Sequence, residues 1–379
     1  MWDTRYGLHL VRTALGDAFQ FVELSADARY VAVASFSGCR VLEVASGAWI
    51  AQREGAVKGL RWSPDGSSIA LPTDSGTILW RWASGDEVRL GRGYTWAVTF
   101  SIDGRYLVTA GAARRNLLLK NGSAQIWRTS DGRLMQEVVH TDTAVAAAAH
   151  PDGVTFATAA GLYAGQDIII SRAGRGRPVW VEIGASANDV AFSADGRVLA
   201  VGFHESGLGL FNAQTGRLLA RVLHLREVRA VEFGPDGMFL AVTTRSYSDR
   251  GAAVPATHLF RLDSRSQVDD EAEAEVILAG ETFLGFVDSG SFLATKDDSS
   301  VRVRATGSWE VIGSFAHPRA TVVISFRGGL VAQIEPGNLT VGRWKPDDLK
   351  SELRHRLPRD LSPDEWQEYM GSEPFEPLL

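Results

Sequence analysis

The chain has 379 residues, 45% of them hydrophobic and 22% charged, and a formal charge of -6. That composition excludes a disordered or polycationic chain, and the acid excess argues against general nucleic-acid binding, which needs a basic face to neutralise phosphates. The length exceeds that of a usual single domain, so the chain is either several domains or one built from repeats. A lone cysteine, Cys39, leaves no partner for an internal disulfide and no cysteine-based zinc site. The first thirteen residues carry no apolar core of a signal peptide, and no apolar run is long enough to span a bilayer. A cytoplasmic location, with neither nucleic acid nor membrane as partner, is the expectation.

The first predicted element is an isolated strand, Gly7-Leu8-His9-Leu10-Val11-Arg12. Thereafter one unit recurs: an alternating apolar strand, a tight turn carrying Asp and Gly, and a second short apolar strand. Clear copies are Trp62-Ser63-Pro64-Asp65-Gly66, Phe100-Ser101-Ile102-Asp103-Gly104, His150-Pro151-Asp152-Gly153, Phe192-Ser193-Ala194-Asp195-Gly196 and Phe233-Gly234-Pro235-Asp236-Gly237. Weaker copies stand at Leu24-Ser25-Ala26-Asp27, at Phe286 to Gly290 and around Phe326 to Gly329, which makes eight. Pro presets the first corner, Asp bonds amides beyond it, and Gly accepts the positive φ where the strand reverses. From Asp27 to Asp288 the turn aspartates are 38, 38, 49, 43, 41 and 52 residues apart, close to one four-stranded blade of a β-propeller.

A third strand follows each hairpin, as at Thr77 to Trp82, Ala124 to Trp127 and Leu208 to Phe211, and a polar turn such as Gln214-Thr215-Gly216-Arg217-Leu218 leads into a fourth. The last repeat supplies only three strands, up to Arg343, so the isolated N-terminal strand is expected to complete it and remove two exposed sheet edges. Past Lys345 the pattern turns helical. Leu349, Leu353 and Leu357 form one apolar stripe, and Ser362-Pro363-Asp364-Glu365 reads as a capping box opening a short helix through Trp366 and Tyr369. The expected domains are a propeller over 1–345 and a helical tail over 346–379 packed on it through Trp366.

The Ser-Pro-Asp-Gly turn, the aromatic ending the third strand and the Thr-Gly-Arg-Leu type turn together resemble WD40 repeats over roughly residues 5 to 345. The resemblance implies an all-β, WD40-like propeller of eight blades, with seven as the alternative if the first repeat belongs elsewhere. The Trp-Asp pair that names the family survives only at Trp2-Asp3, and its Gly-His pair is reduced to His140, His224 and His317. In that family the histidine joins a buried network with a strand hydroxyl and an aspartate, so these three are expected to be structural, as are Asp65, Asp103, Asp152, Asp195 and Asp236. The segment Leu357 to Gly371 resembles the tail that follows the propeller in bacterial WD40 signalling proteins, including STAND-type NTPases, where the propeller acts as a sensor.

No Walker A motif, Gly-x-Ser-x-Gly elbow or His-Glu-x-x-His helix is present. The expected function is therefore non-catalytic binding of a protein or peptide, with no cofactor and no metal. A quinoprotein-type or hydrolase-type propeller enzyme is the competing class. The partner is expected to be a separately encoded NTPase or effector of a bacterial signalling or defence system, a plain assembly scaffold being the alternative. Long loops concentrate binding residues, which points to Arg114 and Arg115, Tyr163, and Tyr247 with Arg250 in the segments 112–122, 161–166 and 246–257. Four residues before each turn-opening apolar position stand Gln20, Lys58, Trp96, Val145, Asn188, Arg229, Thr282 and Val322, one per blade. Of these Gln20, Lys58, Trp96, Asn188 and Arg229 are candidate contacts, Trp96 and Arg229 being residue types that dominate interfaces.

Overall fold

A computed structural model of the chain describes residues 8–15, 19–112, 122–161, 167–174, 176–225, 227–247, 253–263, 272–316, 323–335, 337–345, 348 and 362–370. The chain divides into two compact units, one of Met1–Ala56 with Leu284–Leu379 and the other of Val57–Phe283. They are called units one and two.

Unit one holds the sheet β2–β5 (Phe21–Leu24, Tyr30–Ala34, Gly38–Glu43, Trp49–Glu54). Its second sheet joins β1 (Leu8–Ala14) to β30–β32 (Val323–Arg327, Leu330–Glu335, Asn338–Arg343). A third, β26–β29 (Thr282–Val287, Phe292–Lys296, Ser300–Ala305, Val311–Ala316), begins in the last residues of unit two. Unit two holds β6–β9 (Arg61–Trp62, Ile69–Thr73, Gly76–Arg81, Asp86–Leu90) and β10–β13 (Tyr94–Phe100, Tyr106–Ala112, Gly122–Arg128, Leu134–His140). It continues with β14–β17 (Ala144–Ala149, Thr155–Ala160, Asp167–Arg172, Val179–Glu182), β18–β21 (Ala187–Phe192, Val198–Phe203, Leu208–Asn212, Leu218–Val222) and β22–β25 (Val228–Phe233, Phe239–Tyr247, Ala253–Arg261, Val276–Ala279).

Eight sheets of four strands are thus present among the described residues, and neighbours in sequence are neighbours in the sheet. The exception is β1, which pairs antiparallel with β32 from Leu8↔Arg343 to Ala14↔Asn338. Eight sheets decide against the seven-bladed alternative.

Burial explains the strand sequences. Second strands are covered on both faces, as in β19, where all six residues from Val198 to Phe203 are buried, and so they read as continuous apolar runs. Fourth strands are covered on one face only, and β5 alternates half-buried with exposed residues along its length. In unit two, Ile168, Ile170 and Val181 of one sheet pack with Val190, Phe192, Leu199 and Val201 of the next. Val198, Leu208 and Leu210 pack in turn with Val228, Val231 and Phe233.

Four of the hairpin turns close through one repeated set of bonds. The hydroxyls of Ser25, Ser63, Ser101 and Ser193 donate to Asp27, Asp65, Asp103 and Asp195 at 2.6, 2.6, 2.7 and 2.6 Å. Those carboxylates accept the amides of Arg29, Ser67, Arg105 and Arg197 at 3.0–3.1 Å. Asp152 accepts the amides of Val154 and Thr155, and Asp236 that of Met238. Burial tends to raise the carboxyls of Asp27, Asp65 and Asp103, but the serine and amide bonds outweigh it and hold them below the ordinary range. The turn glycines Gly66, Gly104, Gly153, Gly196 and Gly237 adopt φ of 69–73°, and in the first repeat Ala28 takes that place at 58°.

In the tail, α1 (Pro363–Met370) opens on a capping box: the Ser362 amide donates to Glu365 Oε2 at 2.8 Å and the Glu365 amide to Ser362 Oγ at 3.3 Å. Trp366 is buried. The apolar stripe of Leu349, Leu353 and Leu357 lies outside the described residues. No helix among the described residues is long and apolar enough to cross a membrane.

Candidate partner-binding surface

In four consecutive sheets of unit two the ladder between first and second strands slips by one residue at an equivalent place. The shifts fall between Thr95 and Ala97, Ala144 and Ala146, Ala187 and Asp189, and Val228 and Ala230. The residues left out of the ladder are Trp96, Val145, Asn188 and Arg229, four of those picked out by counting back from the turn. Such a β-bulge bends its strand and re-aims the unpaired side chain. Trp96 is 48% exposed and Arg229 exposed, whereas Val145 and Asn188 are half-buried. Lys58 precedes the short β6, its amide bonded to Pro72 O at 2.8 Å. In unit one Gln20 is exposed, its amide bonded to Ala34 O at 2.9 Å. Thr282 opens β26, and Val322 lies outside the described residues.

The bulged side chains are braced. The rings of Trp96 and Tyr94 lie 4.9 Å apart at a tilt of 54°. Lys58 Nζ stands 4.4 Å from the centre of the Tyr94 ring and forms an ion pair with Asp74 at 2.7 Å. The bond to Asp74 holds the Lys58 ammonium above the usual lysine range despite partial burial. Arg229 forms an ion pair with Glu227, a nearly buried residue in the left-handed region at φ 43°. His204 Nδ1 lies 4.0 Å from the same carboxylate.

Asn188 Nδ2 donates to Val228 O at 2.8 Å, so this candidate contact ties β18 to β22. Its neighbour Asp189 makes the same link, accepting the amides of Val231 and Val190 at 3.0 Å each. Part of Asp189 still meets water, but burial of its carboxyl among the packed strands pushes it up to about 6, above what the two amides offset. The structure thus brings the candidates together as two groups, Lys58 with Trp96 and Asn188 with Arg229. The braces Tyr94 and Glu227, absent from the sequence expectations, each stand two residues before a bulge, which is the signal that finds them.

The histidines behave differently from one another. His140 is buried, with Nε2 2.9 Å from Thr158 Oγ1 and Nδ1 3.1 Å from Asp167 Oδ2. Burial tends to raise the Asp167 carboxyl, and the bonds from His140 and Thr141 more than offset it. His224 is exposed, contrary to expectation. In strand register, Thr158 opposite Ile169 corresponds to Val242 opposite His258, so the hydroxyl is missing; the place of Asp167 falls to Ala256. His317 lies outside the described residues, as do Arg114, Arg115, Tyr163 and Arg250.

The segment 246–257 is mainly not a loop. β23 and β24 continue through Arg245↔Pro255, Ser246↔Val254 and Tyr247↔Ala253. Pro255 stands just past the last β24–β25 pair, Ala256↔Ala279, where its carbonyl still accepts the Gly280 amide at 2.9 Å. Cys39 is fully buried, its thiol pushed up to about 12 by that burial, which makes it unreactive. Among the described residues no three His, Cys, Asp or Glu side chains are placed to hold a metal ion.

Eight antiparallel four-stranded sheets make the chain an all-β, eight-bladed β-propeller with a WD-repeat-like fold. No protein-family model matches it. It is similar to the crystal structure of the computationally designed protein Ika8, at 16% identity and a TM-score of 0.69, over 89% of this chain and 100% of that one. It is also similar to the β-propeller domain of Cps50 (Swd1) from Myceliophteria thermophila, at 17% identity and a TM-score of 0.57, over 77% of this chain and 97% of that one. Both likenesses concern the fold.

Proposed function

We propose that the chain is a non-catalytic, protein- or peptide-binding module of the WD40 type whose partner docks on the bulged strand ends of unit two. The observation that carries this reading is Trp96, 48% exposed and held against the tilted ring of Tyr94. A large ring held in place before encounter loses little entropy on binding, which is how interface anchors act. Arg229, fixed by Glu227, presents its remaining N–H groups in the same way. Because Lys58 and Arg229 are each balanced by a carboxylate, the surface favours aromatic and hydrogen-bonding contacts over a strongly acidic ligand.

The geometry of His140 supports the non-catalytic reading. Its relay with Thr158 and Asp167 has the spacing of a nucleophile, base and orienting acid. His140 and Thr158 are both sealed from solvent, so no substrate reaches the hydroxyl. The likeness of the Leu357 to Gly371 tail to those of signalling propellers supports a cytoplasmic sensor acting with a separately encoded NTPase or effector.

The test is quantitative capture of partners from the native host, with and without added nucleotide. Removing Arg229 alone strands the Glu227 carboxylate, so the informative variants are Trp96→Ala and the pair Arg229→Gln with Glu227→Gln. Trp96→Ala is expected to weaken capture roughly thirtyfold, the loss of one hot-spot residue, with the melting temperature unchanged. Capture that persists at full strength in both variants refutes the surface. Capture indifferent to nucleotide favours the plain scaffold.

A further inference from the structure

A cleft of about 410 Å³ opens in unit two between the sheets β6–β9 and β10–β13, a volume typical of small-molecule sites. On one side runs the connection Gly91-Arg92-Gly93 from β9 to β10. Gly91 has φ +72°, and a Cβ there would meet Gln125 Oε1 at 2.8 Å, so the chain passes this point with bare backbone against the cleft. The amides of Gly91, Arg92 and Gly93 make no hydrogen bond among the described residues, and the exposed Arg92 side chain makes no ion pair there. Among the described residues Arg89, near the end of β9, reaches only the neutral Ser75 Oγ at 3.3 Å. By contrast Arg105, Arg128 and Arg261, likewise in unit two, each carry a carboxylate. On the other sheet Gln125 Nε2 donates to Glu137 Oε1 at 2.8 Å, which leaves the second carboxylate oxygen able to accept from a hydroxyl.

We propose that this cleft binds a small polar ligand carrying one oxyanion, a phosphate or a carboxylate, and at least one hydroxyl group. The oxyanion is held by the Arg89 and Arg92 guanidinium groups, with the unbonded amides of the Gly91-Arg92-Gly93 connection as further donors. The hydroxyl is read by Glu137 and Gln125. This site is independent of the partner surface proposed above, although Tyr94 borders both.

The experiment is isothermal titration calorimetry of the full chain with glycerol 3-phosphate, glycerate and glycerol. Saturable binding of at least one of the two anions and none of glycerol is expected; whichever anion binds more tightly identifies the oxyanion. Arg92→Ala and Arg89→Ala, both at exposed positions whose fold circular dichroism verifies, should each weaken binding roughly tenfold, as loss of a charge-assisted hydrogen bond does. Trp96→Ala should leave the affinity unchanged, which separates this site from the docking surface. Absence of saturable anion binding, equal binding of glycerol, or undiminished affinity in a folded Arg92→Ala variant overturns the proposal.

Discussion

Asp189→Asn should remove a pH-dependent penalty, so that its stability relative to the parent protein improves as pH rises from acid to neutral. In the folded chain the Asp189 carboxyl is raised from its ordinary 3.8 to about 6 by burial, and its two hydrogen bonds come from amides of Val190 and Val231. An acid raised in this way favours folding fully at pH below the unfolded value and loses that contribution as pH rises through the folded one. The span from 3.8 to about 6, at about 1.4 kcal/mol per pH unit, sets a ceiling of about 3 kcal/mol. Because part of the residue meets water, a difference of roughly 2 kcal/mol is expected. Asparagine has no charge to desolvate, but its Nδ2 would face one of the two backbone amides, a loss that does not vary with pH; against that constant offset the variant should gain by that amount, relative to the parent protein, between pH 4 and pH 7. Urea unfolding of both proteins across this range reads the difference directly. The turn carboxylates, held below the ordinary range, titrate lower and are common to both chains, so they cancel. Stability curves that stay parallel from pH 4 to pH 8 refute the reasoning.

Two further outcomes are expected. His140→Ala leaves the Asp167 carboxylate and the Thr158 hydroxyl without their buried partner, and thermal unfolding should register a loss of about 3 kcal/mol. Ala28→Gly relieves a left-handed backbone at φ 58° and should raise stability by about 0.5 kcal/mol in the same assay, the strain removed exceeding the freedom gained by the unfolded chain.

How much could be read beforehand depended on how local the physics is. The Ser63-Asp65 turn closes through bonds that span at most five residues, so its residues announce it wherever it recurs. The bulge at Trp96 depends on pairing with a second strand, and sequence offers only its distance from the turn. Its brace is harder still, because Lys58 and Asp74 come from an earlier sheet. His224 misled for the same reason, since its missing partners, at Val242 and Ala256, show only once strands are set in register. The segment 246–257 exceeds the length of the repeat and so reads as a loop, whereas the β23–β24 ladder extends into it from both sides. The cleft at Gly91 combines residues from two sheets and left no mark in the repeat.

The pairing of β1 with β32 also sets a clock. Ala14 finds its partner at Asn338, so during synthesis β1 leaves the ribosome long before the strand that completes its sheet. At ordinary elongation rates that wait is on the order of tens of seconds. Throughout it the hydrogen-bonding edge of β1 has no native mate, while the hairpins between have long been able to close. The nascent chain therefore depends on β1 staying unpaired until β32 arrives.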